Sequence, residues 1–174
     1  QAGDLLLGAT GVFRLTPNGH LTQESSAGPI EAGLAIGRNA SAAETVFFMP
    51  TNGGIQSLDG GASCGDAALE NVGSLAILND GSNQMMGVGV VGYLGGNQLR
   101  ALDPANGCGV ASSQAMLMAY PGNVVVNGSN VWYAAQDGTV HAYTASPPSF
   151  IAAPTVAATF PPFIGLPMLY GISL

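Results

Sequence analysis

Apolar positions along this chain recur every second residue in short runs, and the runs are cut by turns rich in Gly, Asn, Asp and Pro. In residues 130–145, NVWYAAQDGTVHAYTA, Val131, Tyr133 and Ala135 alternate with Trp132 and Ala134. These residue types suit a pleated surface. Asp137-Gly138 then supplies the positive φ that a two-residue turn requires, and Val140 and Tyr143 resume the apolar pattern. The spacing predicts a β-hairpin. Three more hairpins follow the same plan: residues 5–9 lead into 11–16, residues 45–50 into 54–59, and residues 88–94 into 96–103.

The second strands share an apolar-x-x-apolar-(Asp/Thr) core, namely Val12/Leu15/Thr16, Ile55/Leu58/Asp59, Leu99/Leu102/Asp103 and Val140/Tyr143/Thr144. Their first positions lie 43, 44 and 41 residues apart, and strand content at a fixed period near 42 is the signature of a propeller blade. An apolar leading segment precedes three of the hairpins, at 33–39, 74–80 and 123–130. Trailing strand candidates follow at 20–26 and 115–120. Each repeat therefore reads as four strands, the content of one blade.

The two ends complement one another. DLLLGA (4–9) starts a hairpin with no leading strand before it, and LPMLYGISL (166–174) matches the leading strand of a further unit. The expectation is an all-β, single-domain propeller of about four blades over residues 1–174. The C-terminal strand would pair with the N-terminal strands within the chain, with exchange between chains as the alternative. Closure of this kind removes exposed sheet edges.

The pattern strand–xDGx–strand–Ala-Leu-Asp-x-x-x-Gly resembles the repeat of bacterial PQQ-type quinoprotein β-propellers. Its best copies are NQLRALDPANG (97–107) and residues 130–145. The resemblance implies a propeller and covers nearly the whole chain. It embraces quinone-dependent dehydrogenases and non-catalytic scaffolds alike. The family's repeat usually ends in a docking Trp, whereas the single Trp here, Trp132, sits inside a strand, and the vicinal Cys pair of the quinone enzymes is missing. A non-catalytic member is the expectation, with no cofactor.

Charge narrows the partners. Only 7% of residues are charged, against roughly 25% in an average domain. There is no Lys; the cations are Arg14, Arg38 and Arg100, and the net charge is −7. Nucleic-acid binding needs clustered cations to neutralise phosphates, so it is excluded. The stretch 138–174 carries no Asp, Glu, Lys or Arg, but six prolines (147, 148, 154, 161, 162 and 167) break it, and no transmembrane helix is expected. The start shows no basic, apolar leader, so a mature, already processed chain is expected, secreted or at the cell surface, with the periplasm as an alternative.

Candidate chemistry is sparse. Cys64 and Cys108 fall in equivalent loops of neighbouring repeats, LDGGASCG and LDPANGCG. They are candidates for a disulfide, or else two free thiols. Lacking CxxC or HxxxH spacing, they do not supply a zinc site. His20 and His141 are the only histidines, and no partner in the sequence marks either for proton transfer; His141 reads as facing outward or toward the next blade. Asp59, Asp80, Asp103 and Asp137 border turns, where carboxylates support the backbone more often than they bind calcium or sugar. Asn39-Ala40-Ser41 and Asn127-Gly128-Ser129 match the glycosylation sequon. No GxSxG elbow or phosphate-binding loop is present. The expected function is a non-catalytic structural or protein-interaction module that associates with other proteins, including copies of itself. The alternatives are a carbohydrate-binding propeller that stacks sugars on Trp132, Tyr133, Tyr143 and Tyr93, and a degenerate quinoprotein-type oxidoreductase.

Overall fold

A computed structural model of the chain describes residues 3–51, 54–60, 63–64, 72–80, 83–90, 98–103, 109–115, 124–134, 139–147, 149–150 and 155–159. The described residues form four antiparallel sheets in chain order. Sheet 1 contains β1 (Leu5–Gly8), β2 (Val12–Leu15) and β3 (Leu21–Ser25). Sheet 2 contains β4 (Ile30–Arg38), β5 (Glu44–Pro50), β6 (Ile55–Ser57) and β7 (Ser63–Cys64). Sheet 3 contains β8 (Val72–Asn79), β9 (Gln84–Val90), β10 (Gln98–Asp103) and β11 (Gly109–Ala115). Sheet 4 contains β12 (Val124–Asn127), β13 (Asn130–Ala134), β14 (Thr139–Ser146) and β15 (Ser149–Phe150), and β16 (Thr155–Thr159) also pairs with β14.

Each predicted hairpin is present, as β1–β2, β5–β6, β9–β10 and β13–β14. In the third, the first strand starts earlier than the apolar run suggests, at Gln84, because Gln84 pairs back with Asn79 across a tight turn. The first position of the repeated core is buried in all four copies: Val12, Ile55, Leu99 and Val140. Asp137-Gly138 and residues 166–174 lie outside the described residues, as do 116–120 of the trailing segment placed at 115–120.

Sheets 2 to 4 stack face to face through two apolar cores. Ala35, Phe47, Met49 and Ile55 of sheet 2 meet Leu75, Met86 and Leu102 of sheet 3. Leu78, Leu99 and Ala101 on the other face of sheet 3 meet Val124, Val131, Tyr143 and Ala145 of sheet 4. Sheet 3 is thus apolar on both faces. Side chains alternate sides along a strand, so Leu75 and Leu78 of β8, and Leu99 and Leu102 of β10, serve opposite cores. Sheet 1 lies against sheet 2 through β1 and β4, and the Ile30 N–H donates to the Ala9 carbonyl at 2.8 Å.

A side-chain clamp ties sheet 3 to sheet 2. Gln84, buried at the start of β9, accepts the Arg38 backbone N–H on Oε1 at 2.7 Å and donates from Nε2 to the Arg38 carbonyl. One amide side chain meets both the backbone N–H and the backbone carbonyl of Arg38 at the end of β4. Gly37 makes the approach possible. A Cβ there would lie 2.5 Å from Ile77 Cδ1 and 3.1 Å from Gln84 Oε1.

Two substitutions test this junction. Gln84→Ala removes both of these hydrogen bonds and is expected to cost about 1–3 kcal/mol in urea denaturation. Gly37→Ala forces Ile77 and Gln84 apart and is expected to cost a similar amount, about 1–3 kcal/mol. Unchanged midpoints for both would mean that sheets 2 and 3 are joined by their apolar core alone.

Candidate functional site

The contact between sheets 1 and 2 differs in kind from the other two. It contains a cavity of about 390 Å³ whose wall combines Leu6, Ile36, Val46 and Leu58 with Asp4, Arg14, Glu24, Glu44 and Asp59. Arg14 and Glu24 project from β2 and β3 on the face that also carries Leu6, since Leu6 pairs with Arg14 and Arg14 with Thr22. Asp4 precedes β1. Arg14 Nη1 lies 3.1 Å from Asp4 Oδ2 and Arg14 Nε lies 2.7 Å from Glu24 Oε1, so one guanidinium bridges two carboxylates across sheet 1. The Asp4 side chain is only 7% exposed, whereas Arg14 and Glu24 are partly open to solvent. The Arg14 hydrogen bond holds the Asp4 carboxyl below its ordinary value of 3.8, outweighing desolvation.

On the sheet 2 side, Asp59 accepts the Ser57 hydroxyl at 2.5 Å and the Asn39 side-chain N–H. Asn39 Oδ1 accepts the backbone N–H groups of Ser41 at 2.9 Å and Ala43 at 3.0 Å. The Oδ1 of this sequon residue therefore holds the turn that leads into β5, and its Nδ2 ties that turn to Asp59 beyond β6. Asn127 of the other sequon is exposed at the β12–β13 turn, where Gly128 supplies φ of 58°. A second cavity, of about 430 Å³, lies beside that turn, between the end of β8 (Leu78, Asn79, then Asp80) and Ser129, Ala145 and Pro147 of sheet 4. Asp80 accepts the Asn83 N–H at 2.8 Å and closes the β8–β9 turn.

The remaining sequence candidates are dispersed. Of the two orientations expected for His141, outward or toward the next blade, its burial excludes the first, and its Nε2 pairs with the Thr139 hydroxyl at 2.8 Å. The β13–β14 ladder runs in regular register past this point, so His141 lies on the same face of β14 as Tyr143 and Ala145, and Val140 lies on the opposite face. His20 is exposed after the β2–β3 turn, its N–H donating to the Thr16 hydroxyl oxygen. Tyr143, expected as a sugar-stacking face, is 1% exposed in the core between sheets 3 and 4, and burial raises its phenol pKa. Trp132 is half-buried, with an indole N–H that meets no hydrogen-bond partner. Tyr93, Cys108 and Asp137 lie outside the described residues, and so the proposed Cys64–Cys108 bridge does too. Among the described residues, no group of three or more His, Cys, Asp or Glu side chains is placed to hold a metal ion. Among them also, no helix is long and apolar enough to cross a membrane. Sequence reading missed the Asp4–Arg14–Glu24 bridge; the sole signal was that Arg14 is one of three cations in the chain.

No family model matches the chain, and no curated protein matches it in sequence. Solved structures do match. The chain is similar to BBS1N, solved in complex with ARL6DN and soaked with lead, at 14% identity and a TM-score of 0.61 over 88% of this chain and 50% of that one. It is similar to Saccharomyces cerevisiae Sqt1 at 13% identity and a TM-score of 0.55, over 86% of this chain and 43% of that one. A chain of a nidogen/laminin complex matches at 15% identity over 86% of this chain and 74% of that one, with a TM-score of 0.41. BBS1N and Sqt1 are β-propeller proteins, and the fold of the present chain, several small antiparallel sheets in succession, matches theirs. The chain spans half the length of the BBS1N chain and less than half that of Sqt1.

The Arg14 bridge makes a prediction about acid stability. A carboxyl whose folded pKa is lowered contributes stability that is fully present above its unfolded value of 3.8 and is lost as pH falls through the folded pKa. Thermal unfolding of the parent chain is therefore expected to weaken below pH 3.8 by more than that of Asp4→Asn, whose side chain cannot titrate. Parallel pH profiles for the two chains would show that the bridge contributes nothing.

Proposed function

We propose that this chain is a non-catalytic β-propeller module of the PQQ-repeat type, secreted or displayed at a cell surface, that works through protein–protein contact, including contact with copies of itself. One observation carries the reading. Among the described residues, sheet 1 begins at β1, whereas sheets 2, 3 and 4 each begin with a leading strand, β4, β8 or β12. An edge that lacks its neighbour is a template for strand addition. LPMLYGISL (166–174) has the apolar pattern of a leading strand and is the proposed addition, from the same chain or from another.

The rest of the chemistry supports a scaffold. His20 lies at the β2–β3 turn, far along the chain from His141 of β14, and the buried His141 is hydrogen-bonded to a threonine of its own strand. Asp59 and Asp80 hold turns, and Arg14 holds two carboxylates. Burial of Tyr143 removes one of the aromatic faces that a sugar-binding alternative would use.

Deleting residues 166–174 is expected to lower the unfolding midpoint, and the synthetic peptide LPMLYGISL added in trans is expected to restore it. A deletion that leaves the midpoint unchanged contradicts the strand-addition reading. For the enzymatic alternative, the full chain mixed with pyrroloquinoline quinone and calcium is expected to retain no chromophore after gel filtration. A retained visible band would instead make the chain a quinoprotein.

A further inference from the structure

Asn-Gly pairs punctuate the chain at 18–19, 52–53, 106–107 and 127–128, and the second and third lie outside the described residues. In this dipeptide the Asn side chain is open to attack by the next backbone nitrogen, because Gly brings no Cβ to block the approach. The fold holds the two described pairs differently. Asn18 is exposed, but its Oδ1 accepts the Thr16 hydroxyl, and the Gly19 N–H donates to the Thr16 carbonyl at 2.9 Å. Both the amide that would be attacked and the nitrogen that would attack it are engaged. Asn127 is exposed as well, together with Gly128 and Ser129. It pairs with Asn130 across a two-residue turn, whose hydrogen bonds run between the flanking residues. The Gly128 N–H stands outside that ladder. Among the described residues, neither that N–H nor the Asn127 side chain has a hydrogen-bond partner.

From this contrast we infer that Asn127 is a site of spontaneous modification, which deamidates through a succinimide while Asn18 is protected. The Gly128 backbone nitrogen gives up its proton to hydroxide and attacks Asn127 Cγ. The Cγ–Nδ2 bond breaks, and Nδ2 takes a proton from solvent and leaves as ammonia. Water then opens the imide ring at either carbonyl, which gives aspartate or isoaspartate with no oxidant or reductant involved. The ring closes when the exposed hairpin tip opens locally. The product changes this end of the molecule. It adds a negative charge to a turn whose Gly128 lines the same cavity as Asp80. Isoaspartate also puts an extra backbone methylene where the turn fixes the β12–β13 register, next to the Ser129 carbonyl that accepts the Ala145 N–H at 2.8 Å. The nitrogen that leaves is the one that a sequon glycan would occupy, so a deamidated Asn127 can no longer be glycosylated.

Peptide mass spectrometry on the full chain, aged in mildly alkaline buffer with and without denaturing urea, tests the inference. In the folded chain Asn127 is expected to deamidate about tenfold faster than Asn18, the rate equivalent of one net hydrogen bond. In urea the two rates are expected to converge, because the hydrogen bonds that protect Asn18 are then gone. Equal rates in the folded chain, or a faster Asn18, overturn the inference. A gap of the same size that persists in urea also overturns it, because the neighbouring sequence rather than the fold then sets the rates.

Discussion

The structure depends on sheets that are apolar on both faces and must therefore be covered on both. Sheet 3 shows the constraint in its strongest form. Its residues alternate between a core with Phe47, Met49 and Ile55 on one side and a core with Val124, Val131 and Tyr143 on the other. Neither sheet 2 nor sheet 4 can be removed without exposing one of those rows to water. Dispersion and hydrophobic transfer give this stacking its strength but little direction. Direction comes from the polar additions: the Gln84 amide on the Arg38 peptide, the Ile30–Ala9 hydrogen bond and the Asp80 turn.

Sheet 1 stands apart because its inner face is polar. Where the other junctions have Leu, Met and Phe, this one has a guanidinium between two carboxylates and a cavity beside it. Exposed or half-exposed ion pairs add little net stability, since solvent screens them and their side chains must be held in place. The polar junction positions sheet 1 more than it anchors it.

The repeats were legible in the sequence because their signals are local. Gly11, Gly54 and the Asp137-Gly138 pair punctuate period-two apolar runs, and the first apolar residue after each turn is buried in all four copies. What was not legible depends on register between distant segments. Nothing in the sequence marks Gln84 as the partner of a peptide 46 residues away. Nor does Arg14 declare which of the ten acidic residues it meets. The sequence left His141 either outward or toward a neighbouring blade, and Tyr143 either in the repeated core or as a sugar-stacking face; the choice depends on which face of β14 another sheet covers. Trp132 and Tyr143 look alike as aromatic candidates, but only the fold separates a half-buried indole from a phenol locked between two sheets.

The central claim is that burial between successive sheets holds the molecule together and that sheet 1 is the least firmly held member. Native-state hydrogen exchange resolved by strand measures this directly. Amides of β9 and β10, which lie in a sheet covered on both faces, are expected to exchange slowest, and those of β2 and β3 to open well before global unfolding. Protection in β2 and β3 equal to or greater than that in β9 and β10 would contradict the account.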